Sequence, residues 1–118
     1  MSDIKIWHNP RCSKSRDVMK FLEAEGLEPE VIKYLEVPHT KEEIKHLIEM
    51  LGLKSARELM RTKEPLYREL GLKEETDEEK LIEAMVEHPR LIERPIVIKE
   101  NRAVIGRPIE KVIELVGA

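Results

Sequence analysis

At 118 residues the chain is long enough for one compact domain with a real core and short for two. Hydrophobic residues make up 41% and charged residues 38%, with a formal net charge of -3, which fits a folded, soluble protein and excludes the basic excess of a nucleic-acid binder. The sequence shows no apolar run of membrane-spanning length and no charged leader with an apolar signal core, and its single cysteine suits a reducing, cytoplasmic compartment.

Ile4 to Trp7, IKIW, reads as a short buried strand with Trp7 on its core side. The loop HNPR follows, and Pro10 interrupts regular structure there. A helix is expected from about Ser13 to Glu25, with Val18, Phe21 and Leu22 inward and Gly26 placed to cap its end. Glu30 to Leu35, EVIKYL, is β-branched and aromatic enough for a second strand. Strand, helix and strand in this order make a βαβ unit, with parallel strands and a right-handed crossover.

The middle of the chain is helical, over about residues 40–88. Three capping boxes mark helix starts: Thr40 with Glu43, Ser55 with Glu58, and Thr76 with Glu79. The first helix carries Ile44, Leu47, Ile48 and Leu51 up to Gly52. The second runs to Met60 or Arg61, a further one covers Leu66 to Leu70, and the last ends at His88-Pro89. Pro95 to Lys99, PIVIK, and Arg102 to Ile105 then form a hairpin turning at Glu100-Asn101. Pro108 is expected at the first position of a final helix that buries Ile109, Val112, Ile113 and Val116. A βαβ unit and a ββα unit around one mixed four-stranded sheet give an α/β, thioredoxin-like fold. The expected organisation is a single domain over 1–118 with a helical insertion.

Cys12 falls where the first strand hands over to the first helix. Free N–H groups of a first helical turn favour a thiolate, and Arg11, Lys14 and Arg16 add positive charge nearby. An oxyanion substrate beside a thiolate needs further cations. Arg94 precedes Pro95, Arg107 precedes Pro108, and Arg61 ends a short helix of the insertion. Guanidinium forks match tetrahedral oxyanions. With strand three beside strand one, the Arg94 loop faces the Cys12 loop, and a cis Arg94–Pro95 bond is expected there. His39, His46 and His88 lack metal-site spacing, and no glycine-rich nucleotide motif occurs.

HNPRCSKSR, ERPIV around Arg94 and GRPIE around Arg107 together resemble the arsenate reductase family linked to glutathione and glutaredoxin. YLE at Tyr34–Glu36, SARELMR at Ser55–Arg61 and LIEAMVEHPRLIERPIVI extend the resemblance along nearly the whole chain. It implies a thioredoxin-like fold with a helical insertion. It also implies Cys12 as nucleophile, Arg61, Arg94 and Arg107 as holders of the oxyanion, His8 as the histidine associated with keeping the thiol ionised, and Ser15 as the accompanying hydroxyl. The implied chemistry is reduction of arsenate to arsenite through a covalent Cys12–arsenic adduct that glutathione and glutaredoxin resolve, with no tightly bound cofactor and no metal. SKS after Cys12, and a chain ending at Ala118 without an added C-terminal segment, resemble the arsenate reductase-like branch. Three other readings stay open: a glutathione-dependent thiol reductase on the same fold, an Spx-like regulator that binds RNA polymerase, and a structural or designed scaffold that keeps the family residues without activity. Many of those regulators carry a second cysteine where this chain has Ser15.

Overall fold

The structure is a computed structural model that describes residues 3–117. In chain order its strands and α-helices are β1 (Ile4–Trp7), α1 (Ser13–Ala24), β2 (Glu30–Ile32), α2 (Lys41–Leu51), α3 (Pro65–Glu69), α4 (Glu78–Glu87), β3 (Ile96–Lys99), β4 (Arg102–Ile105) and α5 (Glu110–Val116). They fall into two compact units, one made of the residues up to Glu36 and from Arg94 onward, the other of Val37–Glu93.

The first unit is a mixed sheet in the order β2-β1-β3-β4. β1 and β2 are parallel, as a helical crossover requires, and both other pairings are antiparallel. Alternation along β1 sends Ile4 and Ile6 to one face. There they join Val18, Leu22, Val97, Val112 and Leu115 in one apolar cluster. Trp7 points the other way and stacks on Tyr34, with ring centroids 5.8 Å apart. α1 buries Ser15, Val18 and Leu22, one stripe at helical spacing, so a hydroxyl shares the face of the apolar side chains.

Three sequence expectations need correction in this unit. β2 stops at Ile32, and Tyr34 and Leu35 lie in a turn, where Tyr34 is spent on Trp7 rather than on a ladder. α5 starts at Glu110, two residues after Pro108, and Arg107–Pro108 is a cis bond. Pro108 instead supplies the carbonyl that accepts from Lys111 N at 3.1 Å. The buried residues of α5 are Val112 and Leu115; Ile113 is only half-buried. The Arg94–Pro95 bond is also cis.

Gly106 fixes how closely β4 meets its neighbours. A Cβ there would lie 3.0 Å from Pro95 Cγ, 3.1 Å from Val18 Cγ2 and 3.2 Å from Val112 Cγ2. Gly106 N also donates to Pro95 O at 2.8 Å. Gly106→Ala therefore overpacks three neighbouring side chains at once, and we expect about 1–3 kcal/mol of lost stability in urea unfolding. An unchanged midpoint would show that the junction can yield.

In the second unit α2 and α4 pack beside each other, with Lys41 and Lys45 ion-paired to Glu79 across exposed surface. The Ser55 capping box is complete: Glu58 returns to the Ser55 N–H at 3.0 Å. The short helix it opens is a 3₁₀ helix over Ala56–Leu59, which stops just before the expected end at Met60 or Arg61. At Thr40 half of the box forms, because the Glu43 carboxylate binds His39 Nδ1 at 2.6 Å. At the third box Asp77, not Thr76, caps α4 through Glu79 N at 2.9 Å. Arg57 holds the middle of the unit together, donating to Tyr67 Oη and to the carbonyls of Leu72 and Glu75.

Candidate active site

The loop between β1 and α1 is tied down by its own side chains. Asn9 Oδ1 accepts from Arg11 N, and Asn9 O accepts from Cys12 N, both at 3.0 Å. This Asx turn delivers Cys12 as the N-cap residue of α1, in extended backbone (φ -97°, ψ 122°). Its sulfur accepts no cap bond from the first turn of the helix. The residue is 7% exposed.

The cation that reaches the sulfur comes from the far end of the sequence. Arg107 Nη2 donates to Cys12 Sγ at 3.3 Å, across 95 positions. Arg107 Nε donates to the backbone carbonyl of Arg94 at 2.8 Å, which fixes the guanidinium plane. The sheet register explains the meeting. Trp7 pairs with Ile96 and Ile96 with Ile105, so the C-terminal end of β1, the start of β3 and the end of β4 share one edge. Cys12, Arg94 and Arg107 hang from that edge. Arg94 Nε is buried and has no hydrogen-bond partner, a donor held out of water with nothing to bind. Arg11, Lys14 and Arg16, by contrast, are exposed; Arg16 Nη1 reaches Pro10 O at 3.5 Å.

His8 and Ser15 form a separate stitch under the loop. Ser15 is fully buried, and its Oγ accepts from Asn9 N at 3.0 Å and lies 2.7 Å from His8 Nδ1. Burial, and then the charge of Lys33, push the His8 pKa below its ordinary 6.5. Because the folded-state pKa is lowered, the stability tied to neutral His8 is present above pH 6.5 and is lost as pH falls through the lowered folded value. An NMR titration should place His8 below 6.5, and Lys33→Gln should move it back upward. A midpoint at or above 6.5 in the unsubstituted protein would refute the assignment.

Arg61 belongs to the helical unit, where its guanidinium pairs with Glu64 at 2.9 Å. Sequence reasoning missed Glu64 and Lys33, since a lone glutamate and a lone lysine carry no spacing signal. Beside Arg107 lies a cavity of about 280 Å³ lined by Lys14, Asp17, Val18, Ile109 and Glu110 among others, with both signs of charge at its rim. Among the described residues no group of three or more His, Cys, Asp or Glu side chains could hold a metal ion, and no helix is long and apolar enough to cross a membrane.

A parallel βαβ unit and an antiparallel ββα unit sharing one sheet, with a cysteine heading the first helix, define the thioredoxin-like class. The family model described as "ArsC family" matches residues 7–115. The chain is 54% identical to the uncharacterized protein YfgD of Escherichia coli K12, over 97% of each chain. It is 49% identical to an arsenate reductase of Neisseria meningitidis, over 95% of this chain and 97% of the relative. A solved arsenate reductase from Vibrio cholerae superposes with a TM-score of 0.91 at 50% identity, covering 94% of this chain and 95% of that one. The chain belongs to the ArsC family.

Proposed function

We propose that this protein is an arsenate reductase that uses Cys12 as its nucleophile and takes its electrons from glutathione and glutaredoxin. The observation that carries the reading is the Arg107 guanidinium, 3.3 Å from the Cys12 sulfur and oriented by the Arg94 carbonyl. A guanidinium so placed stabilises the sulfur as a nucleophile and then the oxygens of an anion bound to it. Arg94, with its unpartnered Nε, is the second donor. Arg61 is assigned to the same oxyanion by family resemblance.

The Cys12 thiolate attacks arsenic, an S–As bond forms, and one oxygen leaves as hydroxide, taken up as water. Two electrons then pass from two thiols to arsenic, As(V) becomes As(III), the thiols end as a disulfide, and arsenite leaves. Cys12 is the only cysteine in the sequence, so at least one thiol comes from outside. Glutathione suits the mixed-charge cavity beside Arg107, since it carries both ammonium and carboxylate groups. In this scheme His8 and Ser15 shape the loop that presents Cys12, no tightly bound cofactor takes part, and the reducing cytoplasm is the working compartment.

NADPH oxidation in a mixture of this protein, arsenate, glutathione, glutathione reductase and glutaredoxin tests the proposal. Oxidation should depend on arsenate and fall to background when glutathione is omitted. Turnover with a glutathione mixed disulfide but none with arsenate would replace it with a thiol reductase.

A further inference from the structure

The backbone of Arg61 is clamped. Met60 bridges Ile92 in antiparallel fashion, Arg61 N donates to Leu91 O at 2.7 Å, and Glu93 N donates to Leu59 O at 2.8 Å. This fixes the Cα of Arg61 but not a guanidinium at the end of a long side chain. Glu64 does that. A tight turn, with Glu64 N donating to Arg61 O at 3.1 Å, folds the glutamate back beneath the arginine. Glu64 Oε2 accepts from Arg61 Nη1 at 2.9 Å, and the same nitrogen reaches Arg90 O at 3.4 Å. The second carboxylate oxygen, Oε1, faces Arg90 Nε at 3.5 Å. The Glu64 side chain is 16% exposed, against 26% for Arg61 and 56% for Arg90.

One mostly buried carboxylate therefore lies between two guanidinium groups. A lone Arg61–Glu64 pair would be neutral and a poor partner for an anion. With Arg90 on the other oxygen, two positive charges oppose one negative charge, and the cluster keeps a net positive charge. Glu64 engages only Nη1, so Arg61 has Nη2 and Nε left to offer.

We infer that Glu64 is a positioning residue that fixes the Arg61 guanidinium with Nη2 and Nε free to bind an oxyanion, and that Arg90 offsets the charge Glu64 brings. The inference rests on the assignment of Arg61 to the arsenate oxyanion. Glu64 touches neither substrate nor sulfur in this role and acts wholly through Arg61.

Calorimetric binding of arsenate to the Cys12→Ser protein isolates the step from turnover. In that background Arg61→Ala should weaken binding about tenfold or more, the loss of a charge-assisted donor. Glu64→Ala should weaken it about three- to tenfold on its own and have no further effect once Arg61 is already alanine. Glu64→Gln keeps an acceptor for Nη1 and should restore binding to within about threefold. Arg90→Ala, at an exposed position that tolerates change, should weaken binding only while Arg61 is present, and less at high salt.

A Glu64→Ala effect that persists in the Arg61→Ala protein, or no Glu64→Ala effect at all, would overturn the inference. If Glu64→Ala does not fold, Arg90→Ala decides: equal effects with and without Arg61 would reject the cluster. Arg61→Ala without effect would overturn the assignment of Arg61 and this inference with it. Arsenate that fails to bind the Cys12→Ser protein would overturn the functional reading itself.

Discussion

Cys12→Ser should abolish arsenite formation and leave the protein at least as stable as before. Both halves follow from where Cys12 sits. As nucleophile its sulfur forms the bond to arsenic, and a serine hydroxyl, scarcely ionised near neutral pH, cannot replace it. As N-cap of α1 it makes no cap bond, although its backbone already has the extended geometry that N-cap residues adopt. Serine is among the best residues at that position, and a cap bond contributes about 0.5–2 kcal/mol. The variant should therefore lose all turnover while its thermal midpoint stays level or rises. Arsenite assayed by mass spectrometry and a melting curve by circular dichroism check the two halves separately. Residual arsenite would remove Cys12 as the nucleophile. A large drop in melting temperature would mean that the thiol holds the loop together.

Arg107→Ala should slow arsenate turnover by about one to three decades, the range for losing one charged donor to a developing anion. Its two contacts point to different losses. Without Nη2 the sulfur loses the donor at 3.3 Å, and without Nε the Arg94 carbonyl loses its partner at 2.8 Å. Arg107→Lys separates charge from geometry. An ammonium keeps the positive charge but cannot span the carbonyl and the sulfur as a planar fork does. Most of the loss should therefore persist in the lysine variant, as reduced kcat/KM in steady-state kinetics. A lysine enzyme with full activity would mean that charge alone matters, and an alanine enzyme with full activity would make Arg107 structural.

Much of the fold is legible in the sequence because its signals are local. IKIW, the Val18 and Leu22 stripe, and the PIVIK hairpin each specify an element from within about a dozen residues, and all three form. The misses are local too, where two residues compete for one job. Thr76 and Asp77 both suit an N-cap, and Asp77 takes it. Pro108 suits a helix start, but its carbonyl is taken by Lys111 N in the turn before the helix, and α5 starts at Glu110. Glu43 suits a capping box, yet the neighbouring His39 ring takes its carboxylate.

The site is harder to see for a different reason. The cations nearest Cys12 in sequence, Arg11 and Lys14, are exposed, whereas the one that meets the sulfur lies 95 positions away. Only the strand order brings them together, and no spacing rule reports a pairing that a sheet edge creates. Family resemblance bridges that gap for Arg107 and Arg94. It carries nothing about Glu64 or Lys33, whose partners emerge from packing.

The Arg107–Cys12 contact also orders events in time. During synthesis Cys12 emerges early, while its guanidinium waits for β4 to be made and paired onto β3. Until then the sulfur lacks the guanidinium that supports it as a nucleophile. Its rate of labelling by a neutral probe such as iodoacetamide is thus a clock for closure of the C-terminal hairpin, readable on stalled ribosomes with chains of graded length. The protein carries its own reporter of when its last strand has docked.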